Sequence, residues 1–237
     1  MQSAWTLLSW GPEGWLDDIF SGVLVTVSLA LATFPIGLLL GFFIALAKQS
    51  SEPSLRLAGN VYTTIFRGLP ELVTLFLVYF GAQIVMQNII HLVDPAATVS
   101  INSFVSGMIA LGFVSSSYSS EVFLSAFRAI PRGQYEGGYA IGLTDGQTMR
   151  LVVLPQLIRV ALPGLANLWL ILLKDTALVS AIALPDILRQ VGIAARVTKH
   201  AFLFYGLASL IYLSLAIISS FGIHAIERMV GSHEGHR

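Results

Sequence analysis

Five ionisable residues lie inside long apolar stretches of this sequence: Arg67, Glu71, Glu121, Lys174 and Asp175. A charged side chain is costly at membrane depth, so such groups usually pair with one another or line a water-filled path. Arg67 and Glu71 are four residues apart, which allows an ion pair if the helix keeps its turn there. A structural ion pair and a contact with a charged ligand are both open interpretations for these two residues.

Lys174 and Asp175 are adjacent, and Thr176 follows them. Neighbouring residues on a helix point about 100° apart, so the ammonium and the carboxylate need not face each other. Either group could face a central path or a second membrane subunit. A carboxylate at Asp175 would suit the cationic group of a ligand by charge complementarity.

Glu121 ends a polar run that starts at Ser115 and contains Ser117 and Ser120. Small, hydroxyl-bearing residues in a membrane span favour a face that packs on other helices or lines a cavity. Helix packing and ligand contact are therefore alternative roles for this face. Asn167 adds one more polar side chain to a later apolar run.

A polar loop, residues 131–155, separates two of the apolar runs. Thr144 and Gln147 have the spacing of a capping box, which predicts a helix that starts at this point. Residues 134–143 are predicted to form a preceding helix that is too short to be stable alone in water. Gly137 and Gly138 weaken it further, by about 1 kcal/mol each relative to Ala. We expect docking to order it, through the apolar side chains of Tyr139, Ile141 and Leu143.

Several kinds of chemistry are missing from the sequence. It has no cysteine, no zinc-binding histidine spacing and no phosphate-binding loop, since no Gly-Lys pair occurs. No nucleophile and base are placed together for hydrolysis inside the membrane. The charges balance at 13 basic and 13 acidic residues, which offers no surface for nucleic acid. We therefore predict no catalytic residues, no metal and no cofactor bound by this chain.

Membrane-spanning helices are predicted around all of these residues. The chain is 55% hydrophobic and 11% charged, with a mean hydropathy of +0.78. Apolar runs long enough to cross a bilayer predict one all-α membrane domain, 1–237, with five spans at about 19–47, 57–87, 101–130, 157–184 and 201–227. The second span is interrupted by Pro70 and the residues around it, which breaks the helix.

Charge predicts the orientation of the spans, because Lys and Arg collect on the cytoplasmic side. Basic residues follow the first span, flank the 131–155 loop and follow the last span, whereas residues 87–100 contain none. The N-terminus is therefore predicted outside, and the 131–155 loop and the C-terminus inside. Arg189, Arg196 and Lys199 run against this rule.

The 131–155 loop resembles the loop through which permease subunits of ABC importers contact their ATPase. That family pattern is Glu-Ala-Ala, three residues, Gly, nine residues, an aliphatic residue, one residue and Leu-Pro. The matching positions here are Glu136-Gly137-Gly138, Gly142, Val152 and Leu154-Pro155, with two glycines in place of two alanines. Residues 61–73, 162–169 and 173–180 also resemble importers of polar amino acids, closest to the histidine, lysine, arginine and opine branch.

The resemblance implies a type I ABC importer permease fold in the bacterial inner membrane, working by alternating access. It implies an ABC ATPase homodimer that carries ATP and Mg, a second, non-identical permease subunit, an extracytoplasmic solute-binding protein and a small amino-acid-like substrate. The ATPase contacts would be Glu136, Gly137, Gly138, Tyr139, Ile141, Gly142, Leu143, Leu154 and Pro155. The substrate contacts would be Arg67, Gly68, Glu71, Ser117, Ser120, Glu121, Asn167, Lys174, Asp175 and Thr176.

The alternatives from other classes are a secondary carrier or membrane scaffold that needs no ATPase, and a membrane enzyme. A stand-alone carrier would more often be longer and show internal repeats, and none is evident here. The missing nucleophile disfavours the enzyme. The sequence leaves the ligand open among basic amino acids, opines and glutamine-like compounds.

Overall fold

The computed structural model describes residues 4–92, 94, 96–98 and 100–231, and these contain helices but no β-strand. The helices are α1 (Ala4–Leu7), α2 (Leu16–Gln49), α3 (Pro53–Gly68), α4 (Glu71–His91), α5 (Ser103–Ala129), α6 (Arg132–Ala140), α7 (Asp145–Thr148), α8 (Leu154–Asp175), α9 (Ile187–Thr198) and α10 (Ala201–Gly231). A π-helical segment, Met149–Val153, joins α7 to α8, and a 3₁₀ segment, Thr176–Ile182, follows α8.

Four stretches are long and apolar enough to cross a membrane: Leu16–Gln49, Glu71–His91, Asp145–Ile182 and Ala201–Met229. The remaining predicted span, 101–130, corresponds to α5, whose serine run makes it more polar. α5 packs along α2 at the centre of the bundle. The apolar helices therefore surround a polar one.

Small residues bring α2 and α5 together. A Cβ added at Gly41 would lie only 2.6 Å from the Cβ of Ser119, and one at Gly37 would lie 2.8 Å from the Oγ of Ser115. Close backbone approach through small side chains is the usual way for membrane helices to associate, because lipid supplies no hydrophobic force between them.

The predicted break in the second span is confirmed. α3 ends at Gly68, Leu69 has an extended backbone with φ −92° and ψ 142°, and α4 starts after Pro70. The span predicted at 57–87 is thus two helices, because Pro70 excludes helical geometry at Leu69. The break leaves Arg67 and Glu71 on different helices.

The chain between α8 and α10 changes direction twice. After the 3₁₀ segment, Ala183 adopts a left-handed backbone with φ 68°. Asp186 then caps α9, and its Oδ1 accepts a hydrogen bond from the backbone N–H of Arg189 at 2.9 Å. Asp186 is fully buried, so this cap is part of the packed bundle.

Candidate coupling loop and charged groups of the bundle

The first helix of the 131–155 loop, α6, ends at Ala140, three residues earlier than the sequence predicts. Gly142 has a left-handed backbone with φ +83°. Its N–H donates to the carbonyl of Tyr139 at 2.9 Å, and the N–H of Leu143 donates to the carbonyl of Gly138 at 3.1 Å. This pair of bonds is a Schellman motif, which favours glycine at the left-handed position. The glycine anchor of the loop pattern is therefore a helix terminator.

The two glycines that replace alanines occupy different surroundings. A Cβ added at Gly137 would meet nothing within 4 Å, whereas one at Gly138 would lie 2.6 Å from the Cγ2 of Thr148. Thr148 is itself fully buried. Gly138 is thus required by the packing of α6 on the end of α7, while Gly137 lies open on the surface.

The predicted capping box is confirmed at the start of α7. The Thr144 hydroxyl accepts from the N–H of Gln147 at 3.4 Å, and the Gln147 side chain accepts from the N–H of Thr144 at 2.9 Å. The π-helical segment then leads into α8, whose first turn holds Leu154 and Pro155. π-Helical insertions are often found at functional sites.

Several side chains of the loop are exposed. Glu136 is exposed on α6, Tyr139 is 47% exposed and Ile141 is 76% exposed, whereas Leu143 is half-buried. Apolar side chains that stay exposed on a polar loop are candidates for contact with another protein. Two of the three predicted apolar contacts therefore face outward.

An ion-pair network joins three helices inside the bundle. The Nζ of Lys48 on α2 donates to Glu121 Oε1 on α5 at 2.5 Å and to the Thr63 hydroxyl on α3 at 3.1 Å. Arg67 on α3 reaches the same Glu121 oxygen at 3.4 Å. The side chain of Lys48 is only 7% exposed, against 32% for Glu121 and 46% for Arg67. The network carries two positive charges and one negative charge.

Arg67 is held by more than this contact, because its guanidinium also lies over the ring of Tyr118, 5.6 Å from the ring centroid. Within the described residues, no ion pair joins Arg67 to Glu71. The pairing that the spacing allowed is therefore replaced by a pairing with Glu121. Gly68, next to Arg67, is exposed at the helix break.

A second charged group is formed by Asp175 at the end of α8 and Glu71 at the start of α4, whose carboxylates lie close enough to interact. Lys174 points elsewhere, into a groove of about 320 Å³ that it lines with Tyr205 and Tyr212. Lys174 and Asp175 thus line different grooves, which the helix geometry allows. Two neighbouring carboxylates suit a positively charged ligand.

The hydroxyl-bearing residues of the predicted substrate site are buried. Ser117 and Ser120 are fully buried and donate to the carbonyls of Val114 and Ser117, both at 2.7 Å. Thr176 is also buried and donates to the carbonyl of Leu173 at 2.7 Å. In this conformation these side chains pack within the bundle, whereas Asn167 is exposed on α8.

Sequence reasoning missed Lys48 and Tyr118 as members of the charged network. Lys48 is one of the basic residues that follow the first span and indicate its orientation. One signal was available, since Tyr118 lies within the serine run three residues before Glu121. Among the described residues there is no group of three or more residues suited to a metal ion.

The fold and these residues define a polytopic α-helical membrane protein with an exposed polar loop and charged groups inside its helical bundle. The chain belongs to the family of binding-protein-dependent transport system inner membrane components, whose family model matches residues 37–230. It is 39% identical over 224 residues to the nopaline transport system permease protein of Agrobacterium fabrum, covering 94% of this chain and 95% of that protein. It is 35% identical to the histidine/lysine/arginine/ornithine transport system permease protein of Escherichia coli, covering 91% and 94%.

Solved structures agree with this assignment. The chain is similar to an amino acid ABC transporter crystallised with histidines, at 34% identity and a TM-score of 0.77, covering 90% of this chain and 94% of that one. An inward-facing methionine ABC transporter gives a TM-score of 0.75 at 17% identity, covering 91% and 97%, a likeness in fold alone. The chain is therefore a transport subunit and not an enzyme, and ATP hydrolysis belongs to a separate ATPase.

Proposed function

We propose that this chain forms part of the translocation path of an ATP-driven importer for basic amino acids or opines. The relatives named above transport nopaline, or histidine, lysine, arginine and ornithine. A second relative, 37% identical over 213 residues, is the octopine transport system permease protein of Rhizobium radiobacter. These ligands combine a carboxylate with a basic nitrogen group, which matches a site that carries charges of both signs.

The observation that supports coupling to an ATPase is the form of the 131–155 loop. Its backbone is held by its own caps, while Glu136, Tyr139 and Ile141 are exposed. These caps and the packing of Gly138 on Thr148 support a loop that is ordered before it docks, in contrast to the expectation from the short length of α6. Such a preformed surface needs little reordering when a partner binds. We assign it as the contact with an ABC ATPase homodimer that carries ATP and Mg. Leu154 and Pro155 connect this contact to α8.

The test of the coupling role is a charge reversal at Glu136. Glu136→Lys is expected to leave the chain folded and inserted in the membrane but to abolish association with the ATPase, measured by copurification. Gly142→Pro should act in the same way, because proline cannot adopt the left-handed backbone that ends α6. Glu52→Lys is the matched control, since it makes the same charge change at an exposed position in another loop. Normal copurification of the ATPase with both loop variants would contradict the proposal.

For the substrate, we assign opposite roles to the two charged groups. The network of Lys48, Glu121 and Arg67 has an excess positive charge, and Arg67 is its most exposed member, so it suits a carboxylate. Glu71 and Asp175 suit the cationic side chain. The buried residues Ser117, Ser120 and Thr176 would contact ligand only in another conformation of an alternating-access cycle. Gly68, Asn167 and Lys174 complete the set of predicted contacts.

Asp175→Asn tests whether Asp175 recognises the positive charge of the ligand. The variant should reduce uptake of arginine or lysine by about tenfold, equivalent to about 1.4 kcal/mol, while a neutral ligand such as glutamine loses much less. The measurement is uptake into proteoliposomes that contain the complete transporter and its binding protein. Asp18→Asn, an exposed carboxylate on α2, is the control. Equal losses of uptake for cationic and neutral ligands would show that Asp175 does not recognise the charge of the ligand.

The proposed assembly contains a second permease subunit and an extracytoplasmic solute-binding protein. The same proteoliposomes distinguish it from a carrier that works without an ATPase. Uptake should require ATP inside the vesicles and the binding protein outside. Uptake by the permease subunits alone, driven by an ion gradient, would favour the secondary carrier.

A further inference from the structure

An apolar groove runs along the bundle between α2, α8 and α10. Its volume is about 380 Å³. The residues that matter for its shape are Phe34, Leu165, Ala166, Trp169, Gly222 and Ile226. All three helices belong to stretches long and apolar enough to span a membrane, so the groove lies at membrane depth.

The groove faces away from the charged groups. On α8, Leu162, Ala166 and Trp169 line this groove, whereas Val160 and Gly164 line a separate groove that contains Glu121. Since positions advance by about 100° around a helix, the two sets point in nearly opposite directions. The apolar groove is therefore not part of the proposed substrate path.

The groove is open where it meets α10. A Cβ added at Gly222 would meet nothing within 4 Å. Other faces of α10 are also apolar, because Leu213, Ile218 and Phe221 are exposed. In a bilayer, a concave apolar surface of this kind contacts the acyl chains of lipids.

A cationic side chain lies beyond the end of the groove nearest the 131–155 loop. Arg159 is seven residues before Ala166, about two turns, which places it on a similar side of α8. Arg159 is exposed, and no ion pair involves it among the described residues. Glu227 on α10 pairs instead with His224, at 3.7 Å. A free guanidinium at the edge of a membrane span attracts anionic lipid headgroups.

We propose that this groove binds one acyl chain of an anionic phospholipid in the leaflet on the side of the 131–155 loop, with its phosphate held by Arg159. The site involves neither the ATPase contact nor the substrate contacts. Its test reads out lipid binding and not transport, so it can succeed or fail independently of the proposed function.

The test uses the complete transporter in nanodiscs that contain phosphatidylglycerol with a photoreactive diazirine in one acyl chain. After irradiation and digestion, mass spectrometry locates the lipid label. The label is expected on residues 162–169 and 219–226, above the level on the first turns of α10. An even distribution of label along all of α10 would overturn the proposal.

Gly222→Phe fills the groove and is expected to lower the label there by about tenfold, equivalent to about 1.4 kcal/mol of lost binding. Gly206→Phe is the matched control, because Gly206 lies on the same helix in equally open surroundings and does not line the groove. Ala166→Phe is a second filling variant, on α8, in case the first variant does not fold. Unchanged label in a folded filling variant would overturn the proposal.

Arg159→Gln tests whether Arg159 holds the phosphate of the lipid headgroup. The preference for the phosphatidylglycerol probe over a phosphatidylcholine probe should fall by about fivefold, the equivalent of one basic side chain at a lipid surface. An unchanged preference would remove Arg159 from the site. Benzoylphenylalanine placed at position 169 should crosslink to lipid, and a crosslink to another subunit would show that protein occupies the groove.

Discussion

The 131–155 loop is held by hydrogen bonds between residues close in sequence, whereas the charged groups of the bundle meet through the packing of helices far apart in sequence. In the loop, Gly142 ends one helix and Thr144 starts the next through bonds that reach no further than five residues. In the bundle, Lys48 and Glu121 are 73 positions apart and meet only because α2 packs on α5. One region is organised locally, and the other by the fold as a whole.

This difference decides what a mutation in each region can report. The exposed side chain of Glu136 contributes nothing visible to the stability of its own loop, so its loss should affect partner binding alone. Glu121 neutralises Lys48, which is almost fully buried. A transport defect in a Glu121 variant would therefore combine an effect on folding with any effect on ligand, and the two must be separated by experiment.

The largest expected effect comes from Glu121→Gln. The change leaves Lys48 and Arg67 without their shared carboxylate, and breaking a buried ion pair costs about 3–5 kcal/mol. Because Glu121 is 32% exposed, we expect a somewhat smaller loss, about 2–3 kcal/mol in the free energy of unfolding. The measurement is thermal and denaturant unfolding of the purified chain in detergent.

Glu136→Gln is the matched control for this experiment, since it makes the same chemical change at an exposed loop position. Its free energy of unfolding should equal that of the unsubstituted protein. If both variants lose stability equally, the contrast between loop and bundle is wrong.

An effect that depends on pH, and is smaller at pH 5, is expected for Asp186→Asn. Burial raises the pKa of Asp186 to about 6, although the backbone amides of Arg189 and Leu188 partly oppose the shift. The value in an unfolded chain is about 3.9. Because the pKa is higher in the folded protein, the stability that the protonated carboxyl contributes is complete below about pH 4 and is lost as the pH rises through about 6.

Asparagine keeps the cap acceptor but cannot ionise, so Asp186→Asn should stabilise the protein by about 2–3 kcal/mol at pH 8 and by about half as much at pH 5. Unfolding curves at the two pH values measure this difference. Asp145→Asn, at an exposed position in the loop, is the control that makes the same chemical change. A destabilising Asp186→Asn at pH 8 would mean that the ionised carboxylate is well solvated or paired.

Whether a structural feature can be predicted from the sequence depends on the same difference between local and long-range contacts. The capping box at Thr144 and the helix break at Pro70 could be predicted because each depends on neighbours in the chain. α6 ends three residues before its predicted end, because Gly142 adopts the left-handed backbone that terminates the helix. The pairing of Arg67 with Glu121, in place of Glu71, could not be predicted, because it depends on how α3 crosses α5.

The smallest and most local effect concerns the two glycines of the loop. Gly137→Ala should stabilise α6 by up to about 1 kcal/mol, because its Cβ meets open space. Gly138→Ala should destabilise the loop by about 1 kcal/mol, since crowding against Thr148 outweighs the gain in helix propensity. Hydrogen exchange of the loop amides and the affinity for the ATPase measure both effects.

A double substitution identifies the cause. Thr148→Ala removes the Cγ2 and Oγ1 atoms that approach the new Cβ most closely and leaves its own Cβ at 3.2 Å. Gly138→Ala combined with Thr148→Ala should therefore recover most of the protection that Gly138→Ala alone loses. If Gly138→Ala behaves like Gly137→Ala without this rescue, the second glycine is not required by packing. In that case, the surface of the partner ATPase would explain why position 138 carries glycine where the family pattern has alanine.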